Sequence, residues 1–339
     1  MFKDKKLLIG LLSFLIIIIS LGVFFNNQKK APPEAKILEV TDKGQVHLEK
    51  IKSHIEKLSS KEFQGRRAGT KGEGETVLYL AQELKKYQIK PWGNDDTYFQ
   101  TFPLPVTDLR QAGKRTEFYI KDNNNGSRLM ADNVLGLIES RNNPEEYILL
   151  SAHLDHLGVW QNELYPGAND NASGVAAVLE IARILKSQSN SLPYSVIIAF
   201  WSGEEMGLLG SKYFVNNPLV DFPKIKLGIN LDSIGMGADN EFILWCEQET
   251  KEVERLIGIL TQEDQITIMK EDSGEHSSDH KPLATKGIPA VTLLAKDWLV
   301  DNHTPRDTLT KINLAKVALL AQKIAELLTT SQIEEIISS

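Results

Sequence analysis

YILLSAHLDHLG (147–158), PGANDNASGVAAVLEIARIL (166–185) and SVIIAFWSGEE (195–205) are the three segments whose order decides how this chain folds. Residues 147–152 and 195–201 are apolar runs of strand length. Between them Val175, Val178, Leu179, Ala182 and Leu185 fall on one face of a helix read over 172–185. Strand, helix, strand in that order predicts two parallel strands joined by a helical crossover, because parallel neighbours cannot be linked by a tight turn.

The same alternation extends in both directions. Apolar runs at 98–104, 117–120, 134–138, 227–231, 242–245 and 289–294 read as further strands. Ile51, Ile55 and Leu58 recur at helical spacing, as do Val77, Leu78, Leu80, Ala81 and Leu84. A last helix over 313–328 turns Leu314, Val317, Ala318, Ala321, Ile324, Ala325 and Leu328 inward. The expectation is an α/β domain over 45–339, with a mixed, mainly parallel central sheet and helices on both faces.

The formal charge of -7, with lysines and acids interspersed, argues against nucleic-acid binding, which needs a basic face. The single cysteine, Cys246, cannot form an internal disulfide and reads as a small buried hydrophobe. Residues 7–25, LLIGLLSFLIIIISLGVFF, carry no charge and follow Lys3, Lys5 and Lys6. As a helix the run would be about 28 Å long, close to the hydrocarbon thickness of a bilayer. It reads as a transmembrane signal anchor in the lipid bilayer, with 1–6 a short cytoplasmic tail and 26–44 a stalk. The body then lies outside the cytoplasm, periplasmic or extracellular, or is secreted if the segment is cleaved.

Acids and histidines cluster just beyond the apolar runs: His153 and Asp155 after the first, Glu204 and Glu205 after the second, Asp232 after Leu231, and His303 after Leu294. In an open parallel sheet the carboxyl ends of the strands face one crevice, so these residues can meet. Imidazole and carboxylate without thiolate suit a catalytic divalent ion such as zinc. Asp170 sits at the mouth of the 172–185 helix, where free N–H groups favour an ionised carboxylate; an N-cap is the plainer role for it. The loop Gln64, Gly65, Arg66, Arg67, Ala68, Gly69 reads as tight turns and lacks the strand-loop-helix context of a phosphate cradle. Ser173 and Ser202 have no evident triad partners.

HLDHLG (153–158), PGANDNASG (166–174), WSGEEMGLLGS (201–211), NLDSIG (230–235), SDH (278–280) and HTPRDT (303–308), in that order, resemble the co-catalytic zinc peptidase family. That family includes bacterial leucyl aminopeptidases, aminopeptidase Y, glutamate carboxypeptidase and glutaminyl cyclase. The resemblance implies two Zn2+ ions, one held by His153 and Asp232, the other by Glu205 and His303, with Asp170 bridging them. It implies Glu204 as the general base for a zinc-activated water, Asp155 behind His153, and Asp279 near the site with His280 packed beside it. Substrates would be peptides with a free N-terminus. His156 reads as a pocket-wall or hydrogen-bonded histidine, His47 and His54 as solvent-facing or surface-packing residues, and Trp201, Tyr165 and Trp298 as packing residues, with Trp298 near a cleft. A glutaminyl cyclase, or a carboxypeptidase drawing on Arg66, Arg67 or Arg306, are the rival reactions on this scaffold. A membrane-bound binding protein without catalysis is the rival of another class.

Overall fold

The computed structural model describes residues 44–121, 129–238, 240–274 and 276–338. The anchor read at 7–25 and the stalk up to 43 lie outside them, and no helix among the described residues is long and apolar enough to cross a membrane.

In chain order the strands are β1 (Lys90–Pro91), β2 (Phe99–Leu104), β3 (Thr107–Ala112), β4 (Arg115–Ile120), β5 (Leu129–Ile138), β6 (Tyr147–His153), β7 (Gly158–Trp160), β8 (Glu163–Tyr165), β9 (Ser195–Trp201), β10 (Ile225–Leu231), β11 (Glu241–Cys246), β12 (Thr267–Lys270) and β13 (Ala290–Ala295). The helices are α1 (Leu48–Leu58), α2 (Lys71–Lys86), α3 (Gly174–Ser187), α4 (Leu209–Asn216), α5 (Lys251–Leu260), α6 (His280–Ala284), α7 (Leu314–Thr329) and α8 (Gln332–Ile337). Among the described residues the main sheet runs β1-β5-β9-β6-β10-β13-β11-β12, with β2 also on β5.

β6 and β9 pair in parallel, as the opening segments predict, with Ile148 opposite Val196 and His153 opposite Trp201. β10 and β13 continue the parallel block. The expectation of a mainly parallel sheet needs correction: four pairings are parallel and four antiparallel. The parallel block is central, where helices cover both faces; β5 runs against β1, β2 and β9 on one flank, and β11 runs against β13 on the other. Residues 117–120 do form a strand, but it belongs to the separate β3–β4 hairpin, whose register opposes Ala112 to Arg115 across Gly113 and Lys114.

Side chains alternate across the sheet with period two. Ile148, Leu150 and Ala152 of β6 and Val196, Ile198 and Phe200 of β9 join α1, α2, α3, α5 and α7 in the larger core. Leu149, Ile197, Ala199 and Trp201 face the other way, onto Phe214 and Val215 of α4 and Leu283 of α6. α3 is buried from Gly174 to Leu185, packed between the sheet and α1 and α7. It begins at Gly174 rather than 172, because Asp170 and Asn171 leave helical torsions, and the peptide between them is cis. Cys246 ends β11 half-buried rather than in the core, and His54 is buried, with Nδ1 2.6 Å from the Tyr79 hydroxyl.

A buried ion pair borders the larger core. Glu180 of α3 is fully buried, takes two bonds from Arg183 at 2.7 and 2.9 Å, and accepts the His47 N–H at 2.7 Å before α1. Removing one partner of a buried pair strands the other, so Glu180→Ala should lower the urea unfolding free energy by on the order of 3 kcal/mol. Glu180→Gln, which keeps the acceptor, should lose less; equal losses would show that the charge contributes nothing there.

Candidate metal centre

Each candidate metal ligand read from the motifs, and Glu204 with them, lies at the carboxyl end of a strand or in the loop that follows it. His153 closes β6, Glu204 and Glu205 lie in the turn after β9, Asp232 follows β10, Asp170 lies in the irregular turn before α3, and His303 lies in the loop after β13. His153 Nε2 is 3.2 Å from Asp170 Oδ1 and 3.3 Å from Asp232 Oδ1. His303 Nε2 is 3.2 Å from Asp170 Oδ2 and 2.9 Å from Glu205 Oε2. Asp170 thus offers one oxygen to each side. His156, expected as a pocket-wall or hydrogen-bonded histidine, joins the second group: Nδ1 is 2.7 Å from Glu205 Oε1 and 3.9 Å from Asp170 Oδ2. In each of the triads His153, Asp170, Asp232 and His156, Asp170, Glu205 the donor atoms lie within 4.8 Å of one another.

The supports come from distant segments. Asp307 accepts the Asn169 and Asp170 N–H groups at 2.7 and 3.0 Å, and the Asn302 amide donates to Asp170 Oδ2 at 2.6 Å. His303 Nδ1 donates to the Thr116 carbonyl at 3.0 Å, which turns Nε2 toward the acids. Ser278 Oγ donates to Asp232 Oδ2 at 2.7 Å. Asp155 lies behind His153: its carbonyl is 3.3 Å and its carboxylate 3.8 Å from Nδ1, and the carboxylate also accepts the Glu204 N–H at 3.0 Å.

Arg66 is buried and donates to the carbonyls of Leu58, Leu154, Pro166 and Gly167 at 2.7 to 2.9 Å. It ties the loop after β6 to the Asp170 turn; burial pushes its pKa down to about 10. At Gly167 the backbone is left-handed, and a Cβ would lie 2.6 Å from the His156 ring, so only glycine lets the two loops close.

Electrostatics at the centre are set by burial against close charge. Burial opposes ionisation of Asp170, yet the bonds from His153 and His303 hold it well below the usual carboxylate range. Burial likewise opposes ionisation of Glu205, but His303 holds it down to about 2. Burial opposes charging His303, and Glu205 outweighs it, raising the imidazole to about 10. Glu204 goes the other way: burial lifts it well above the ordinary value, His153 opposes, and Asp279 and Asp232 add to the rise. Asp279 stands behind these groups, raised by burial to about 7, with Oδ1 accepting from Ser211 Oγ. His280 Nδ1 lies 2.8 Å from Thr292 Oγ1.

Buried imidazole nitrogens and carboxylate oxygens without thiolate fit a divalent cation of zinc type, and three acids in one small volume call for such a charge. The centre forms part of the floor of a cleft of about 780 Å³ that Trp245, Trp298 and Arg115 also line. Ser173 and Ser202 are occupied elsewhere, donating to Asn169 O and Glu73. The sequence does not mark His156 as a partner of Glu205, nor does it assign a role to Asp307, Asn302 or the Thr116 carbonyl. His156 and Asp307 stand inside the quoted strings HLDHLG and HTPRDT, which is where a signal for them lay.

The sequence profile of peptidase family M28 matches residues 133–328. Leupeptin-inactivating enzyme 1 of Streptomyces exfoliatus is 33% identical over 157 residues, 45% of this chain and 33% of that one. The chain spans less than half the length of the curated relatives it matches. A zinc aminopeptidase from Bacillus subtilis superposes with a TM-score of 0.65 at 18% identity, over 85% of this chain and 97% of that one. Porphyromonas gingivalis glutaminyl cyclase superposes with a TM-score of 0.62 at 21% identity, over 86% and 99%. Both show a shared fold.

His280 generates a pH prediction. Burial holds its imidazole down to about 4 from 6.5, so between those values the unfolded chain takes up a proton that the folded chain refuses. Stability contributed by neutral His280 is complete above pH 6.5 and falls as pH drops toward 4, by on the order of 3 kcal/mol. His280→Gln should flatten that slope in urea unfolding measured from pH 7 to 4; an unchanged slope would remove His280 as its source.

Proposed function

The chain belongs to peptidase family M28, and from that premise we propose that it is a zinc-dependent aminopeptidase removing the N-terminal residue of peptides. The observation that carries the reading is the Asp170 carboxylate, one oxygen facing His153 and the other facing His303. In this reading His153 and Asp232 hold one Zn2+, His303 and Glu205 hold a second, and Asp170 serves both. Bound zinc supplies a Lewis acid that polarises the scissile carbonyl and makes water more acidic.

The chain's own groups do the rest. Glu204 lines the cleft, and burial holds its proton affinity high. It takes a proton from the attacking water and delivers it to the leaving amine. Asp155 fixes the start of the Glu204 turn through the Glu204 N–H. His156 donates to Glu205 and orients it. The substrate's free α-amino group would seat at the metal centre, which makes the terminal residue the one removed.

We propose further, from the sequence of 7–25 alone, that the enzyme is held on a membrane with its body outside the cytoplasm. Full-length protein should sediment with membranes and resist salt extraction, whereas protein lacking 1–30 should stay in the supernatant; equal partitioning would count against an anchor. For the chemistry, Glu204→Gln should keep its metal and lose about 10²- to 10⁴-fold in kcat on leucine amide substrates, as removal of a general base does. Asp170→Ala should lose metal as well as rate. Full metal content in Asp170→Ala, or undiminished rate in Glu204→Gln, would overturn the corresponding role. Release of pyroglutamyl product from glutaminyl peptides without hydrolysis would assign cyclisation instead.

A further inference from the structure

We propose that Arg115 selects substrates carrying a carboxylate close to the scissile bond; this rests on the aminopeptidase reading and names the substrate class of that site. Arg115 opens β4, immediately after the Gly113–Lys114 turn. The β3–β4 hairpin is outside the main sheet, yet it is docked onto the metal centre: Thr116 N donates to His303 O at 3.3 Å, and His303 Nδ1 donates to Thr116 O at 3.0 Å. That docking carries Arg115 into the cleft.

Nearby, Arg110 is neutralised by Glu117 at 2.7 Å and Lys121, just past β4, by Asp108 at 2.5 Å. Arg115 forms no ion pair with any carboxylate among the described residues. Its Nη2 donates to Asn302 Oδ1, and the Asn302 amide donates in turn to Asp170 Oδ2 at 2.6 Å. Its guanidinium lies over the Trp298 ring, 5.9 Å from the centroid. A guanidinium held by one bond and one ring face keeps most of its five donors, fixed in direction, for a ligand in the cleft. It stands two hydrogen bonds from the shared carboxylate of the metal centre.

The arginines considered from sequence are otherwise engaged. Arg66 is spent on backbone carbonyls, Arg67 on Thr107 O and the Phe118 ring, and Arg306 on Asp301. Lys212, Lys281 and Lys286 line the same cleft as Arg115, with Glu247 3.7 Å from Lys281 as a partial counter-charge. The cleft is therefore cationic toward Arg115. A ligand matching it carries a carboxylate a short distance from the amino group that the aminopeptidase reading places at the metal centre. A dipeptide's terminal carboxylate, or an acidic side chain on the first or second residue, supplies it.

Three substrate pairs separate these sources: Leu-Ala against Leu-Ala amide, Glu-Ala amide against Gln-Ala amide, and Leu-Glu amide against Leu-Gln amide. The acid member of at least one pair should be preferred by about tenfold or more in kcat/KM, the size expected of a charge-assisted bond. The preference should reside in KM, as uniform binding does. In Arg115→Gln the acid-to-amide ratio should fall toward one, and Arg115→Lys should retain part of it. Ratios near one in all three pairs, or a ratio that survives Arg115→Gln, would overturn the proposal. Tryptophan fluorescence of the Glu204→Gln protein, titrated with Leu-Ala and Leu-Ala amide, reads the same preference without turnover. If no pair is cleaved but the acid still binds more tightly and Arg115→Gln abolishes the difference, the aminopeptidase reading fails and the selection by Arg115 stands.

Discussion

Asp170, Glu205 and Asp232 are buried carboxylates crowded into one volume with His153, His156 and His303. Carboxylates so close cannot all stay ionised out of water unless positive charge lies among them. In the described residues that charge comes from the imidazoles, held protonated where acids outweigh burial; divalent cations on the same donors would supply it more fully. The rest of the fold arranges for that crowding to be bearable. Asp170 is the pivot, because its two oxygens face opposite groups and, among the described residues, no other acid pairs with both His153 and His303.

The pivot is fixed by parts far apart in the chain. Asp307 holds the backbone of its turn, Arg66 binds that turn to the loop after β6, and the β3–β4 hairpin presents one carbonyl to His303. The parallel block β9-β6-β10-β13 sets the spacing, since neighbouring strand ends are about 4.8 Å apart and three of the loops that carry donors leave from them. Polarity follows from the same plan, with acids gathered over the strand ends and cations brought by the hairpin and by the segments that carry α4 and α6.

What the sequence revealed follows from this geometry. Candidate donors fell just beyond apolar runs, and a parallel sheet brings such positions together, so His153, Glu205, Asp232 and His303 were legible before any coordinates. Asp170 was legible only because it stands inside PGANDNASG; at a helix mouth alone it reads as a cap. The supports were not legible, because a carbonyl such as that of Thr116 leaves no mark in residue type, and Arg66 is recognised only once its acceptors are near it. TDLRQAGKRTEFYI (107–120) is nearly all polar on one face, and only 117–120 stood out as a strand. The Gly-Lys pair at 113–114, flanked by alternating residues, was the missed hairpin signal. The balance of parallel and antiparallel pairings was misjudged for a related reason: flank strands such as β5 look as apolar as central ones.

Anomalous diffraction at the zinc edge, from crystals of the zinc-loaded protein, tests the central claim most directly. Two peaks are predicted, one between His153 and Asp232 and one between His303 and Glu205, each within bonding distance of a different oxygen of Asp170. A single peak, or a pair that does not touch Asp170, would contradict the account.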